Sequence, residues 1–588
     1  MKKNFNIKLF YRLLGYTNPY KLNFIFVSFS AIIISFFSIL NQYLLKIAVD
    51  EYITPKDYSG LINIIILMLL ILSFQAIFQF LFIYFTNLLG QKVVFDLRTK
   101  LFRTIIKFKM SYYDKSSVGR LVTRTVSDME TIASIFSQGL FMIFADLILM
   151  FSVLAVMIFL SIELSLIILI ILPFVMFATR LFQRAMKVAF NEVRSEVANL
   201  NSFVQERLSG IKEIQIFNRQ KIESKNFEKI NERHKKAWLK TVWYNSIFFP
   251  IAEISTSISI GLIVWYAASM NIQQETFISL GTIFLFIQLS QMLFRPLRQI
   301  ADKFNTLQMG MVAAKRVFEI LDSDFYIDDI GSFKKEDLKG DIKFENVNFA
   351  YTKKNNVLNN INLTIKKGEK LAIVGATGSG KSTLIKLILR LYDVNEGEIK
   401  INNKNIKNFK LSELRSSISL VNQDVFLFAD SILKNITLFN DNVSKKDVES
   451  AARNIGVMSF INKLPSGLDY NVKERGVMLS EGQRQIISFL RAYVSKPNIL
   501  ILDEATSSID SKTEELIQFA TNKIIQNKTS IIIAHRLSTI VSADKIIVMK
   551  DGNINEVGNH QELLSKNGYY KNLYEIQFEK QELLAKIF

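Results

Sequence analysis

The chain contains no cysteine, which excludes disulfides and thiolate-held metals. It has three histidines, His234, His535 and His560, and a zinc site built on so few and such scattered ligands is excluded as well. No RNA- or DNA-binding motif accompanies the formal charge of +19, so nucleic acid is not the expected partner. The basic excess has another location. Segment 91–134 carries nine Lys/Arg against four Asp/Glu, and segment 180–240 carries fourteen against seven. Both lie between apolar runs, where cytoplasmic loops of membrane proteins are basic. Residues 1–22 lack the pattern of a cleavable signal. They are basic and amphipathic, and are expected to form a helix lying on the cytoplasmic surface.

What the chain does have is apolar length. Its 588 residues have a mean hydropathy of +0.22, but the apolar residues crowd into the first half. Six candidate spans fall at about 24–49, 61–89, 135–162, 164–184, 243–268 and 277–300, each near the roughly 20 residues that cross a bilayer. The short gaps at Asp50–Gly60, Ser161–Leu164 and Ala267–Thr276 carry acids and belong outside. The two long basic gaps and both termini belong inside. Richness in Ile, Lys, Asn and Phe points to an AT-rich bacterial genome, and hence to a multi-pass protein of a bacterial cytoplasmic membrane. Helical periodicity runs on through 85–110, 113–134, 180–208 and 212–242. At 1.5 Å per residue, about 25 residues carry a helix nearly 40 Å beyond the bilayer. Two cytosolic hairpins are therefore expected, with tips at Ser111–Gly119 and Asn201–Gly210.

Ionisable groups inside a membrane are costly and are functional candidates by default. Asp146 and Glu253 lie within spans, and Arg295 lies near the inner end of the sixth. For Asp146 and Glu253, contact with a substrate in a cavity and structural pairing are both open. Asn41, Gln42, Gln75, Gln79, Gln288 and Gln291 read as interhelical glue.

The second half reads as a soluble α/β domain over 341–578, after a charged linker at 321–340 and before a tail at 579–588. Residues 375–383 run Gly-Ala-Thr-Gly-Ser-Gly-Lys-Ser-Thr between an apolar strand and a helix. This is a phosphate-binding loop. Gly375, Thr377, Gly378, Ser379 and Gly380 would let backbone N–H groups curl around phosphate oxygens. Lys381 would reach the β- and γ-phosphates of ATP, and Ser382 would hold Mg²⁺, with Thr383 opening the helix behind them. A second apolar run, Asn498–Leu502, ends in Asp503 and Glu504. Asp503 would bind Mg²⁺ through water, and Glu504 would polarise the attacking water. His535 ends another strand and would contact the γ-phosphate. Gln423, at a further strand-to-loop junction, would sense Mg²⁺ or the water. Tyr351 is placed to stack on adenine.

Leu479-Ser480-Glu481-Gly482-Gln483 then opens a helix. With this segment the chain resembles an ATP-binding cassette (ABC) transporter, of the exporter half-transporter type. The resemblance covers nearly the whole length. It includes the phosphate loop, Gln423, Leu479–Gln483, Asp503–Glu504, Ser507–Asp510 and His535. Glu474-Arg475-Gly476 resembles the exporter segment that touches the coupling hairpins, and Tyr113–Gly119 with Arg120 resembles the first coupling region.

The resemblance implies an all-α six-helix transmembrane domain (23–320) with cytosolic helical extensions, followed by an α/β P-loop NTPase domain. It implies a dimer in which ATP lies between two cassettes, the phosphate loop of one facing the signature of the other. Ser507, Ser508 and Asp510 would form the D-loop at that interface. The implied function is ATP-driven export of a small amphipathic or lipophilic substrate by alternating access. A lipid translocase is the alternative, with an ATP-gated channel or an importer behind it. One residue departs from the family pattern: Glu481 stands where the signature has glycine. Its charge would repel a γ-phosphate about 5 Å away by about 3 kcal/mol at an effective dielectric near 20. One composite site would be weakened, which points to a heterodimer with a different half-transporter. If Glu504 positions the water, Glu504→Gln should keep ATP binding and lower steady-state hydrolysis by about a hundredfold or more. Lys381→Ala should instead weaken binding of a fluorescent ATP analogue. Near-normal turnover in the first variant would refute the assignment.

Overall fold

The structure, a computed structural model, describes residues 6–273, 278–329, 331–352, 355–503, 511–533 and 537–575. It divides into two units. One holds residues 1–106 and 117–324, the other 107–116 and 325–588.

The first unit is helical. Helix α1 (Ile7–Gly15) is short and amphipathic, with Ile7 and Tyr11 exposed and Leu13 buried. Long helices follow: α2 (Lys21–Ile47), α3 (Tyr58–Ile105), α7 (Phe141–Leu160), α8 (Ile162–Ser209), α10 (Gln220–Gln273) and α11 (Leu280–Leu321). Among the described residues, six helices are long and apolar enough to cross a membrane. α3 and α8 have 48 residues each and α10 has 54. A 48-residue helix is about 72 Å long, against a hydrocarbon core of about 30 Å. The continuation of helix beyond the bilayer is therefore present in α3, α8 and α10.

The return leg of the first hairpin differs from expectation. Residues 113–134 are not one helix but α4 (Met110–Lys115), α5 (Val118–Thr125) and α6 (Ser127–Ser134). Ser116 and Ser117 are extended, and Val126 closes a β-branched stretch that loses rotamer freedom in a helix. The second tip also lies later than Asn201–Gly210. α8 continues to Ser209, and the turn is made by Gly210, the short α9 (Ile211–Ile216) and Phe217–Arg219. Helical backbone ends at Gly210, whose N–H still bonds the Glu206 carbonyl. Ion pairs from Arg207 to Glu223 (2.5 Å) and from Lys240 to Glu192 (2.7 Å) brace this hairpin.

Two polar contacts fix the spans. Asp50 accepts from Ser279 Oγ (2.6 Å) and from the Gly281 N–H (2.7 Å), so a carboxylate at the end of the first span caps α11. A Cβ on Gly281 would stand 2.5 Å from the Lys46 carbonyl, which is why the approach needs glycine. Farther along α11, Lys303 Nζ lies 2.5 Å from Asp146 on α7, and both side chains are largely buried. Of the two readings of Asp146, the structure supports pairing. Gln75 donates to Ser38 Oγ (3.0 Å), as expected of interhelical glue. Glu253 is exposed on α10.

Among its described residues the second unit holds two sheets. One is antiparallel, in the order β2–β1–β4–β5: β1 (Ile342–Phe349), β2 (Leu358–Ile365), β4 (Glu396–Ile401) and β5 (Lys404–Asn405). The other runs β10–β9–β3–β8–β7–β6: β3 (Lys370–Gly375), β6 (Ile418–Val421), β7 (Ile499–Asp503), β8 (Thr529–Ile533), β9 (Lys545–Lys550) and β10 (Asn553–Gly558). It is parallel except for β10. Among the described residues the α-helices between strands are α12 (Lys381–Ile388), α13 (Leu411–Ser417), α14 (Ile432–Thr437), α15 (Lys445–Asn454), α16 (Met458–Asn462), α17 (Glu481–Val494), α18 (Ser511–Ile525) and α19 (Leu537–Val541). The central strands are apolar throughout because both faces are buried. Leu500 and Leu502 of β7 join Ile436, Val448 and Ile487 on one side. Ile499 and Ile501 join Leu384, Phe344 and Ile361 on the other.

If Asp146 and Lys303 form a structural pair, either Asp146→Asn or Lys303→Met alone should destabilise by about 3 kcal/mol, by leaving one charge buried and alone. The double substitution should recover most of that loss in a thermal melt in detergent. Losses that merely add would refute the pairing.

Candidate functional site

The parallel register decides where the chemistry collects. Ile373 of β3 pairs with Ile533 of β8, Asp503 of β7 pairs with the same Ile533, and Val421 of β6 pairs with Leu502. The C-terminal ends of these strands therefore share one edge, where ligands bind in open α/β sheets. Asp503 is the last residue of β7, and Gln423 lies two residues beyond β6 and is exposed. Glu504 follows β7 directly and His535 follows β8, but both lie outside the described residues, as do Ser507, Ser508 and Asp510.

The loop after β3 turns through Gly378 (φ +86°) and Gly380 (φ +103°), conformations that side chains rarely adopt. Gly380 is also packed close. A Cβ there would stand 2.6 Å from Leu358 Cδ2. Thr377 is exposed, while Ser379 is buried and its Oγ has no hydrogen-bonding partner. Lys381 Nζ donates to the carbonyls of Gly375 (2.7 Å) and Ala376 (2.9 Å). Burial lowers its pKa below the ordinary lysine value, and the Asp503 carboxylate opposes that shift. Ser382 is exposed in the first turn of α12. A buried hydroxyl without a partner, a half-buried ammonium and the end of an eight-residue helix fit a polyphosphate.

Tyr351 borders this loop. Its hydroxyl lies 3.2 Å from Thr383 Oγ1, and the Lys386 ammonium lies 5.5 Å from the centre of its ring. The ring packs edge-on to Phe349 (4.9 Å) and Tyr392 (5.1 Å) yet is 38% exposed, leaving area on which a flat base can stack.

The Leu479–Gln483 segment forms the start of α17. Ser480 is the N-cap: its Oγ accepts from the Gln483 N–H (3.3 Å), and Gln483 Oε1 accepts from the Ser480 N–H (3.0 Å). This reciprocal cap satisfies two donors that the helix start would leave open. Leu479 and Gly482 are buried, and Glu481 is exposed at the first helical position. A carboxylate there is favoured by the helix dipole by about 0.3–1 kcal/mol.

Sequence reasoning missed three partners: Lys303 for Asp146, Thr383 for the Tyr351 hydroxyl, and Tyr392 beside Tyr351. Each joins residues remote in the chain, and no spacing rule marks them.

Comparison with known proteins agrees with this geometry. Residues 24–297 match the model of the ABC transporter transmembrane region, and residues 358–507 match the ABC transporter cassette model. The chain belongs to the ABC transporter family. An ABC transporter ATP-binding protein of Bacillus subtilis, YknV, is 35% identical over 583 residues, covering 98% of this chain and 96% of that protein. An ATP-dependent lipid A-core flippase of Pectobacterium atrosepticum is 36% identical over 571 residues, covering 97% and 98%. The flippase of Photorhabdus laumondii is 34% identical over the same length. This ABC transporter therefore pairs a nucleotide-binding ATPase domain with a multi-pass membrane domain and couples hydrolysis to transport. In it, Gly380→Ala should lower affinity for a fluorescent ATP analogue by about tenfold or more, because the strained φ and the clash with Leu358 distort the loop. Unchanged affinity would show that the loop tolerates a side chain at this position.

Proposed function

We propose that this ABC transporter is one half of a dimer that exports amphipathic or lipophilic compounds across a bacterial cytoplasmic membrane by alternating access. Both termini and the cassette face the cytoplasm. This chain's six apolar helices and its cassette, with the near full-length match to ABC transporter relatives, carry this reading. In it, the loop from Gly375 to Thr383 binds the phosphates of ATP and Tyr351 carries the base. Ser382, Gln423 and Asp503 hold Mg²⁺, directly or through water. Glu504 orients the attacking water, and His535 fixes the γ-phosphate and Glu504. Leu479–Gln483 completes the site carried by the partner, and Ser507, Ser508 and Asp510 line the interface. Asp146 and Glu253 are the candidate cavity acids. Asp146 is paired with Lys303.

A lipid substrate is the second reading. It is favoured by the lipid A-core flippases among the relatives. ATPase activity that depends on one lipid class in reconstituted vesicles would support it.

We further propose that the partner is a different chain. Glu481 sits at the first position of α17 and is exposed. Its carboxylate occupies the positive helix end that would otherwise face the partner's γ-phosphate. This chain's own Lys381, Asp503 and Glu504 are intact, so it would supply the hydrolytic half of the other site. The chain should be purified alone and together with the half-transporter encoded beside it. In the heterodimer, Glu504→Gln alone should remove nearly all turnover. A lone chain with full activity, or half-activity in that variant, would refute the heterodimer.

A further inference from the structure

The turn between α1 and α2 lies against one face of α3. Lys92, Asp96 and Lys100 follow one another at intervals of four on that helix, so they share its face. The same spacing would ordinarily pair Asp96 with one of the two lysines. Here the Tyr20 hydroxyl donates to the Asp96 carboxylate instead (2.9 Å). Lys92 turns onto the Tyr20 ring, 5.2 Å from its centre. Lys100 donates to the Tyr16 hydroxyl (3.3 Å) and lies 5.6 Å from the centre of that ring. An aromatic face attracts an ammonium through its quadrupole and leaves the charge in place. Lys92 is thus held as a cation, and the acid that would pair with it is held by Tyr20.

Depth matters next. Lys92 lies three residues past the second apolar span, 61–89, and Lys21 lies three residues before the first, 24–49. At 1.5 Å per residue each stands about 4.5 Å beyond the hydrocarbon, within a headgroup layer about 5–7 Å deep. Lys21 is exposed and follows Tyr20 directly. No acid occurs between Ile7 and Leu22. Arg12, another cation of this region, is taken up by Asp322 through two hydrogen bonds of 2.6 Å. On the bilayer side of Lys21, Leu22 and Ile25 are exposed. Two ammoniums at headgroup depth, beside exposed apolar side chains, match the phosphate and the acyl chains of one anionic phospholipid.

We propose that Lys21 and Lys92 form a binding site for the phosphate headgroup of an anionic phospholipid of the inner leaflet. Tyr20 is its positioning residue, because it holds Asp96 away from Lys92. The proposal rests on the reading of this end of the spans as the cytoplasmic one. It differs from a general attraction between basic loops and a charged membrane in one respect: a substitution that changes no charge, Tyr20→Phe, should weaken it.

The full-length transporter, purified in a non-ionic detergent, is titrated with phosphatidylglycerol, and bound lipid is counted by native mass spectrometry. Phosphatidylglycerol should bind more tightly than phosphatidylcholine by about tenfold or more. Lys21→Gln and Lys92→Gln should each weaken its binding by about fivefold, the scale of one lysine at an anionic surface. Lys92→Arg should preserve it. Lys229→Gln, which removes the same charge from an exposed position on α10, should leave it unchanged. Tyr20→Phe should weaken it by about the same factor as Lys92→Gln, and Tyr20→Phe combined with Asp96→Asn should restore the parental affinity. Binding of a fluorescent ATP analogue and the melting temperature should stay at parental values throughout. Parental affinity in Lys92→Gln or in Tyr20→Phe, or equal binding of phosphatidylcholine, would overturn the site. Displacement of the lipid by inorganic phosphate would assign the two lysines to a free anion and overturn it as well. An Asn18→Cys variant that reacts with a membrane-impermeant maleimide in intact cells would overturn the orientation and leave the measured lipid affinities standing, which separates the two failures.

Discussion

The backbone hydrogen bonds of the parallel strands β3, β6, β7, β8 and β9 cannot be exchanged for water, because apolar side chains bury both faces of that sheet. This fixes the register. Once Asp503 and Ile373 both pair with Ile533, the strand ends form one edge, and the phosphate loop, Asp503 and Gln423 have to meet there. A slip of one residue in β7 would turn Leu500 and Leu502 to the opposite face and move Asp503 along the edge. The site is therefore only as well placed as the sheet is well packed.

A different constraint governs the membrane unit. Lipid offers no hydrogen bonds, so helices satisfy their own backbones and the few polar side chains must find one another. Asp146 finds Lys303, Gln75 finds Ser38, and Asp50 caps the start of α11. Each contact joins two different helices, which makes it a choice of packing as well as a neutralised polar group. Helices of 48 and 54 residues then extend the same rigid rods beyond the bilayer, where charged faces and ion pairs such as Arg207–Glu223 replace apolar surface.

Much of this was legible before any coordinates. The phosphate loop, the acid-ended strand and the Leu479–Gln483 segment carry their chemistry in contiguous residues. Apolar runs marked the spans, since length and hydropathy are local properties. The errors arose where a local rule had a competitor. Periodicity over 113–134 predicted one helix, but extended backbone at Ser116–Ser117 and a break at Val126 divided it. The second tip was expected at Asn201–Gly210, but α8 ran on to Ser209 and the turn followed it.

The sequence by itself determined the family, the nucleotide chemistry and the order of membrane and soluble parts, because motifs and hydropathy are written in neighbouring residues. Only the tertiary structure decided the partners. The ionic partner of Asp146 is 157 residues away, and Tyr392, whose hydroxyl is bonded to Asp114, is 278 residues from it. Nothing in either local sequence requires these contacts. They follow from which helix faces and strand ends are brought together when the two cores close around their apolar residues.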